Sequence, residues 1–390
     1  MTRVPRLPAS KLPDVGTTIF TVISRRAEEL GAVNLGQGFP DYPVDPRLIE
    51  LVTAAMQAGF NQYAPMAGLP ALQQRIAADV QRRHACSVDA ATQVTIAVGA
   101  TEAIFSAILA LVGQGDEVIV FDPAYDSYDP AVRLAGARCV HVPLMPPQFR
   151  FDWDRIRAAV TPRTRMIIVN SPQNPSCTVM SRADLRELAQ LADEHDLFVL
   201  SDEVYEHLVY DGVEHCSVLS DPALAARSLA VFSFGKSLHA TGLRVGYCIA
   251  PVPLTTELRR VHQFNTFTIA TALQHAVAGY LAEKPDVFAT LAPFFTAKRR
   301  LLTEGLAGSV LRVLASQGTY FTLVDYSASQ TLGALDDTEA ASVLLEKVGV
   351  AAIPLTPFYR EPVKHRLLRL CFAKQDATLL RASERLCALR

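Results

Sequence analysis

Between Val94 and Phe234, short apolar runs alternate with longer amphipathic stretches, and this alternation restricts the chain to few architectures. Segments 94–98, 117–122, 138–142, 165–170, 197–201 and 229–234 read as strands, with helical spacing at 100–112, 129–136, 152–160 and 181–195. Strand, helix, strand at such intervals predicts an α/β fold, a mostly parallel sheet with helices on both faces. Ligands of these sheets bind beyond the carboxyl ends of the strands. Tyr125, Asn174, Asp202 and Lys236 all fall at that edge, which is the geometric reason to treat them as one site.

Lys236 follows the run Leu229–Phe234 and is flanked by small residues. An amine held among apolar groups loses solvation, its ammonium form is disfavoured, and the neutral nucleophile becomes accessible. Such a lysine can condense with an aldehyde. Ser233 and Arg244 bracket it with a hydroxyl and a guanidinium, groups that grip a phosphate. An aldehyde carrying a phosphate points to pyridoxal phosphate. By itself the run also reads as a surface lysine after a strand. Gly99 separates a strand from a long apolar helix, so Ala100 and Thr101 lie where free helix amides point outward. That is a phosphate cradle or an ordinary strand-to-helix turn. Gly36 and Gly38, two apart in a loop, permit close approach to a ligand or merely make a turn, and they lack the third glycine of a dinucleotide fingerprint.

Helices are expected at 17–32, 46–58 and 70–84, and a helical region from Pro251 to about Glu283. After Lys284-Pro-Asp the texture changes to a charged helix near 286–305, short strands at 310–314 and 319–324, a helix at 338–348 and a last helix. We expect a large unit over 46–284 and a smaller α+β unit over 285–390, joined by the N-terminal segment 1–45. Half the residues are hydrophobic, 19% are charged and the formal net charge is −2, ordinary for a soluble globular chain. No basic run or binding motif points to nucleic acid, and no apolar stretch reaches membrane-spanning length. Seven scattered cysteines without a Cys-x-x-Cys pair, and nine histidines without a His-x-x-x-His pair, predict reduced thiols and no metal site. With no apolar leader at the N-terminus, the expected location is the cytoplasm.

Val98-Gly-Ala-Thr-Glu, Asn174-Pro175, Ser201-Asp-Glu-Val-Tyr205, Ser233-Phe-Gly-Lys236 and Arg244 stand in the order and spacing of the class I/II aminotransferases. The chain resembles these fold type I pyridoxal phosphate enzymes nearly end to end, with a large sheet domain and a smaller α+β domain. Gly36-Gln-Gly-Phe-Pro-Asp, Phe121-Asp-Pro-Ala-Tyr-Asp-Ser-Tyr128, Asn174-Pro-Ser and Gln317-Gly-Thr-Tyr-Phe are most similar to the bacterial methionine and kynurenine/glutamine transaminase branch. One departure is Cys177, where many members of the family carry glycine.

The resemblance implies that Lys236 holds the cofactor and then moves the substrate Cα proton. Asp202 pairs with the pyridine nitrogen, and Tyr205 and Asn174 donate to the ring oxygen. Tyr125 stacks on the ring. Ala100, Thr101, Ser233 and Arg244 bind the phosphate, and Tyr63 reaches the phosphate of a neighbouring subunit, which implies a homodimer with shared sites. Arg369 fixes the substrate carboxylate, helped by the backbone of Gly38. No arginine follows Arg260 in the segment 262–271, where aspartate aminotransferases bring a second one, so Phe39, Tyr63 and Phe267 are expected to form a pocket for methionine or aromatic side chains. The expected reaction moves an amino group to a 2-oxo acid. Two competing readings are a lyase acting on cysteine conjugates and a ligand-sensing domain of a transcription regulator; only about thirty residues precede the Gly36 loop, too few for the DNA-binding unit of the latter.

Overall fold

In the computed structural model of the protein, residues 8–390 are described. Residues 1–7, on which the expected 1–45 segment and the expectation about an apolar leader begin, lie outside the described residues. A seven-stranded sheet runs in the order Val94–Val98, Val245–Ile249, Ser228–Ser233, Phe198–Asp202, Thr164–Asn170, Glu117–Asp122, Arg138–Pro143. All neighbours are parallel except Val245–Ile249, which is antiparallel to both of its partners. That strand is absent from the sequence reading because Gly246 interrupts it. The glycine is needed for close approach: a Cβ there would lie 2.7 Å from the Phe232 carbonyl oxygen and from the backbone of Gly99.

Alternation along each strand separates two cores. Val118 and Val120 face one side of the sheet with Ile104, Ile108, Leu254 and Leu258. Ile119 and Phe121 face the other with Leu185, Leu188 and Leu191. The helix Arg182–Glu194 starts in a capping box, Ser181 and Asp184 each bonding the other's backbone amide. Burying both faces makes the central strands nearly continuous apolar runs, which is why they were legible.

Towards the C-terminus a four-stranded antiparallel sheet has the order Ile353–Pro354, Leu367–Cys371, Phe321–Asp325, Arg312–Val313. The N-terminal segment packs here. Val33–Asn34 pairs in parallel with Val350–Ala351, and the helix Ile19–Glu29 sets Ile23 and Ala27 against Leu345, Ile353 and Phe358. The helix expected at 338–348 is α-helical over Asp337–Val343 and then widens into a π turn, Leu344–Val348. Among the described residues, no helix is long and apolar enough to cross a membrane.

Candidate active site

A cavity of about 280 Å³ opens at the carboxyl edge of the large sheet. Gly38, Phe39, Ala100, Thr101, Tyr125, Asn174, Asp202, Tyr205, Ser233, Lys236, Arg244 and Arg369 all line it. Tyr63 does not. It is 86% exposed, its ring set edge-on against Phe267 with centroids 5.4 Å apart. The pocket of Phe39, Tyr63 and Phe267 expected from the sequence is therefore not assembled within one chain, because the latter two side chains stand on an outer surface. Phe20 and Phe321 line the cavity with Phe39 instead.

Lys236 sits just past the strand Ser228–Ser233, in the short helix Phe234–Ser237. Its Nζ lies 5.7 Å from the ring centroids of Tyr205 and Tyr320. Burial pulls its pKa down to about 8. Asp202 ends the neighbouring strand, and burial pushes its carboxyl up to about 6. Tyr128 opposes that shift by donating its hydroxyl proton to Asp202 Oδ2 at 2.6 Å. Desolvation thus moves acid and amine in opposite directions, bringing both close to neutrality. Tyr128 was present in the Phe121–Tyr128 motif, but nothing in that motif shows that it turns back under Asp202.

The phosphate corner is built on the helix Gly99–Leu111. Gly99 has φ +70°, and a Cβ on it would lie 2.7 Å from a guanidinium nitrogen of Arg244. Arg244 itself adopts φ +54°, a left-handed conformation that costs a non-glycine residue roughly 1–2 kcal/mol. Its Nη1 donates to the Thr241 carbonyl at 3.1 Å. The Ser233 hydroxyl does not cap the short helix that follows it. Ala100 and Thr101 at the helix start, the Ser233 hydroxyl and the Arg244 guanidinium line one corner of the cavity, and the guanidinium packs where a side chain at position 99 would stand.

Arg369 is completely buried at the opposite end. It donates from Nη1 to Asn174 Oδ1 at 2.5 Å and from Nη2 to the Gly36 carbonyl at 2.8 Å, while its Nε has no partner among the described residues. The Phe321 ring centroid is 3.9 Å from the guanidinium carbon and that of Phe20 is 5.1 Å away. Since Asn174 spends its amide oxygen on Arg369, its amide nitrogen is left to donate into the cavity. Asn170, missed in the sequence reading, ties this asparagine to the strand edge: it accepts from Asn174 N–H at 2.9 Å and donates to the Asp202 carbonyl at 2.8 Å. Cys177 takes φ +63° and is buried, so the loop keeps a glycine-like conformation without the glycine. The Asn174–Pro175 bond is cis. The Gly38 carbonyl accepts from Tyr320 Oη at 2.5 Å, which leaves the Gly38 amide as its contribution to a ligand.

Lys236, Asp202 and Arg369 thus share one α/β cleft. The sequence model of aminotransferase class I and II matches residues 31–386. The chain belongs to that family. Methionine aminotransferase of Escherichia coli (strain K12) is 48% identical over 99% of both chains. A solved Escherichia coli structure described as having a methionine aminotransferase function superposes with TM-score 0.96, covering 99% of this chain and 100% of that one at 48% identity. Kynurenine–oxoglutarate transaminase 1 of Mus musculus is 34% identical, over 98% of each chain. The expected α/β architecture and family are therefore borne out, and the protein is a pyridoxal phosphate-dependent aminotransferase.

The donor set fits that cofactor. A desolvated amine suits the aldehyde, a buried carboxylate suits the ring nitrogen, and the corner of Ala100, Thr101, Ser233 and Arg244 suits the phosphate. Although no sequence spacing predicts a metal site, the fold does bring Asp129, Cys139 and His141 together, and likewise Glu203, Glu206 and His215. Their histidines are already engaged: His141 Nδ1 meets Asp122, outside the first group, at 2.8 Å, and His215 meets Glu203, inside the second, at 2.8 Å.

Proposed function

We propose that the protein takes the amino group from methionine or another large neutral or aromatic amino acid and delivers it to a 2-oxo acid. The observation that carries this reading is the set of cations around the cavity. Among the described residues only Lys236, Arg244 and Arg369 supply positive side chains to its lining. Lys236 is taken by the aldehyde, Arg244 by the phosphate and Arg369 by the substrate's α-carboxylate. Nothing cationic is left for a second carboxylate, and Phe20, Phe39 and Phe321 offer apolar surface instead.

In this reading the bound pyridoxal phosphate supplies a sink for the negative charge that develops at the substrate Cα. Asp202 keeps a carboxylate where the ring nitrogen needs one, and Tyr128 favours its ionised form. Asn174 and Tyr205 donate to the ring oxygen, and Tyr125 covers the ring. Ala100, Thr101, Ser233 and Arg244 hold the phosphate. Lys236, in the unprotonated form that burial makes more accessible by lowering its pKa to about 8, takes the Cα proton. Arg369, prevented from tilting by Phe321 and Asn174, fixes the carboxylate and so aims that proton at Nζ.

Two further assignments belong to the same proposal. Tyr63 completes the phosphate site of a second subunit in a homodimer, supported by its 86% exposure and by the exposed Phe267 ring packed against it. The chain divides into 46–284 and a smaller unit of 285–390 with 1–45, supported by the pairing of Val33–Asn34 with Val350–Ala351. We place the protein in the cytoplasm.

A panel of amino acids assayed against several 2-oxo acids tests the reading. Methionine and phenylalanine should exceed aspartate and glutamate in kcat/KM by at least roughly 100-fold, since an unpaired buried carboxylate is costly. Equal rates for aspartate would refute it. Pyruvate and ammonia released from a cysteine conjugate without any oxo acid would favour the lyase. Reduction with borohydride should fix the cofactor to the peptide bearing Lys236. Mixing a Lys236→Met subunit with a Tyr63→Ala subunit should restore activity if the sites are shared.

A further inference from the structure

In the segment Gly36–Asp41, Gln37, Gly38 and Phe39 line the cavity, yet among the described residues the Phe39 ring belongs to no buried apolar cluster and is 43% exposed. Side chains from the C-terminal part of the chain hold its backbone. Arg369 donates to the Gly36 carbonyl, Tyr320 to that of Gly38, and the Gln375 side-chain amide to that of Asp41 at 2.9 Å. At Phe39 the donor is Lys374, whose Nζ lies 2.7 Å from the carbonyl oxygen and 5.3 Å from the centroid of the phenyl ring.

Lys374 is only 3% exposed, and among the described residues it makes no salt bridge with a carboxylate. Burying an ammonium without a counter-ion is expensive, and a lysine near a surface usually avoids it by extending into water. Here the charge is spent on one main-chain carbonyl and the adjacent ring. A charge-assisted bond of this kind is among the stronger ones available to a loop. It fixes the peptide plane after Phe39, and with it the direction in which the ring leaves the backbone.

We propose that Lys374 is a positioning residue for substrate selection: by clamping the Phe39 carbonyl it sets the apolar wall against which the substrate side chain packs. This rests on the reading of Phe39 as that wall. Lys374 does not itself line the cavity, so its influence passes through Phe39 and should grow with the length of the substrate side chain. Alanine, ending at a methyl group, depends on the wall little; methionine depends on it strongly.

The test compares the holoenzyme with Lys374→Met, Lys374→Arg, Phe39→Ala and the double variant Phe39→Ala/Lys374→Met, using methionine and alanine as donors. Lys374→Met should lower the methionine-to-alanine ratio of kcat/KM by about tenfold, mainly through the KM for methionine, as loss of a charge-assisted bond predicts. Lys374→Arg should recover most of the ratio. Hydrogen exchange of the peptide covering residues 37–42, measured without substrate, should quicken in Lys374→Met. The double variant should show no more loss than Phe39→Ala. If Phe39→Ala leaves the ratio unchanged, the assignment of the wall fails. If Phe39→Ala lowers it and Lys374→Met does not, or if Lys374→Met depresses both donors equally, the role of Lys374 is overturned. Should Lys374→Met not fold, Lys374→Gln, a neutral donor one atom shorter, is read by the same ratio.

Discussion

The cavity wall at the sheet edge and the wall facing it hold their polar groups in opposite conditions. At the sheet edge Lys236 is held among aromatic rings, Ser233 leaves its helix uncapped and Arg244 meets a single carbonyl. On the facing wall Arg369, Tyr320, Lys374 and Gln375 each hold a backbone carbonyl of one short segment. The first wall carries donors with spare capacity, suited to a cofactor that brings its own phosphate and ring. The second is already braced, suited to a substrate that must be oriented within a fraction of an ångström. Spare capacity costs stability, and bracing restores it.

The largest effect expected from that contrast lies at Lys236. Lys236→Met should abolish transamination, by at least about 10^4-fold, because both the covalent anchor and the proton carrier are lost. The same substitution should stabilise the cofactor-free protein. The folded pKa of Lys236, about 8, is below its ordinary 10.5, so the folded state suffers for holding a charged amine below pH 8. Stability of the unsubstituted protein should rise between about pH 8 and 10.5, and the advantage of Lys236→Met, about 3 kcal/mol at pH 7, should fade across that window. Denaturant titration at several pH values measures it. A variant less stable than the parent at pH 7 would contradict the picture of an unsatisfied wall.

Arg369 is the counterpart in the braced wall. Arg369→Lys should raise the KM for methionine by about 100-fold and also destabilise the protein, since Asn174 and the Gly36 carbonyl lose their donors. Opposite signs of stability change at positions 236 and 369 would be the sharpest support for the contrast.

Tyr128→Phe probes the sheet edge more gently. Asp202 titrates near 6 in the folded chain against an ordinary 3.8, so its proton is released first by the unfolded state. This contribution to stability is complete below about pH 4 and is lost as pH rises to about 6. Removing the Tyr128 hydroxyl takes away a bond to the ionised form, moving the upper limit of that window higher, and should lower kcat at pH 7 by about tenfold. An unchanged stability profile would separate Tyr128 from Asp202.

The smallest expected effect concerns Cys177, in the loop joining the two walls. Its φ of +63° costs a residue with a Cβ roughly 1 kcal/mol. Cys177→Gly relieves that strain while losing the buried thiol, and Cys177→Ala loses the thiol with the strain intact. The glycine variant should therefore be the more stable of the two, by about 1 kcal/mol in thermal or denaturant unfolding.

Much of the sheet-edge wall was legible from local pattern. Asp202, Ser233 and Lys236 follow apolar runs, and the end of a buried strand is recognisable from composition alone. Gly99 announces a helix start. Arg369 also lies on an apolar strand, but local pattern could not distinguish a carboxylate site from a structural ion pair; the family resemblance made that choice. Asn170 and Tyr128 were passed over because each acts on a neighbour brought to it by folding, 32 and 74 residues distant. Tyr63 and Phe267 have the right chemistry for a pocket but stand on the outside of the chain.

The sequence by itself determined the alternating layers, the edge at which ligands bind, and the identity of the groups able to hold an aldehyde, a phosphate and a carboxylate. These follow from hydrophobic period and side-chain chemistry, which are local properties. Only the tertiary structure decided which groups are left unsatisfied and which are braced, that Asn174 gives its oxygen to Arg369, and that Lys374 reaches Phe39 across 335 positions. Hydrogen-bond partners and desolvation depend on what the whole chain excludes from water, and no window of sequence contains that information.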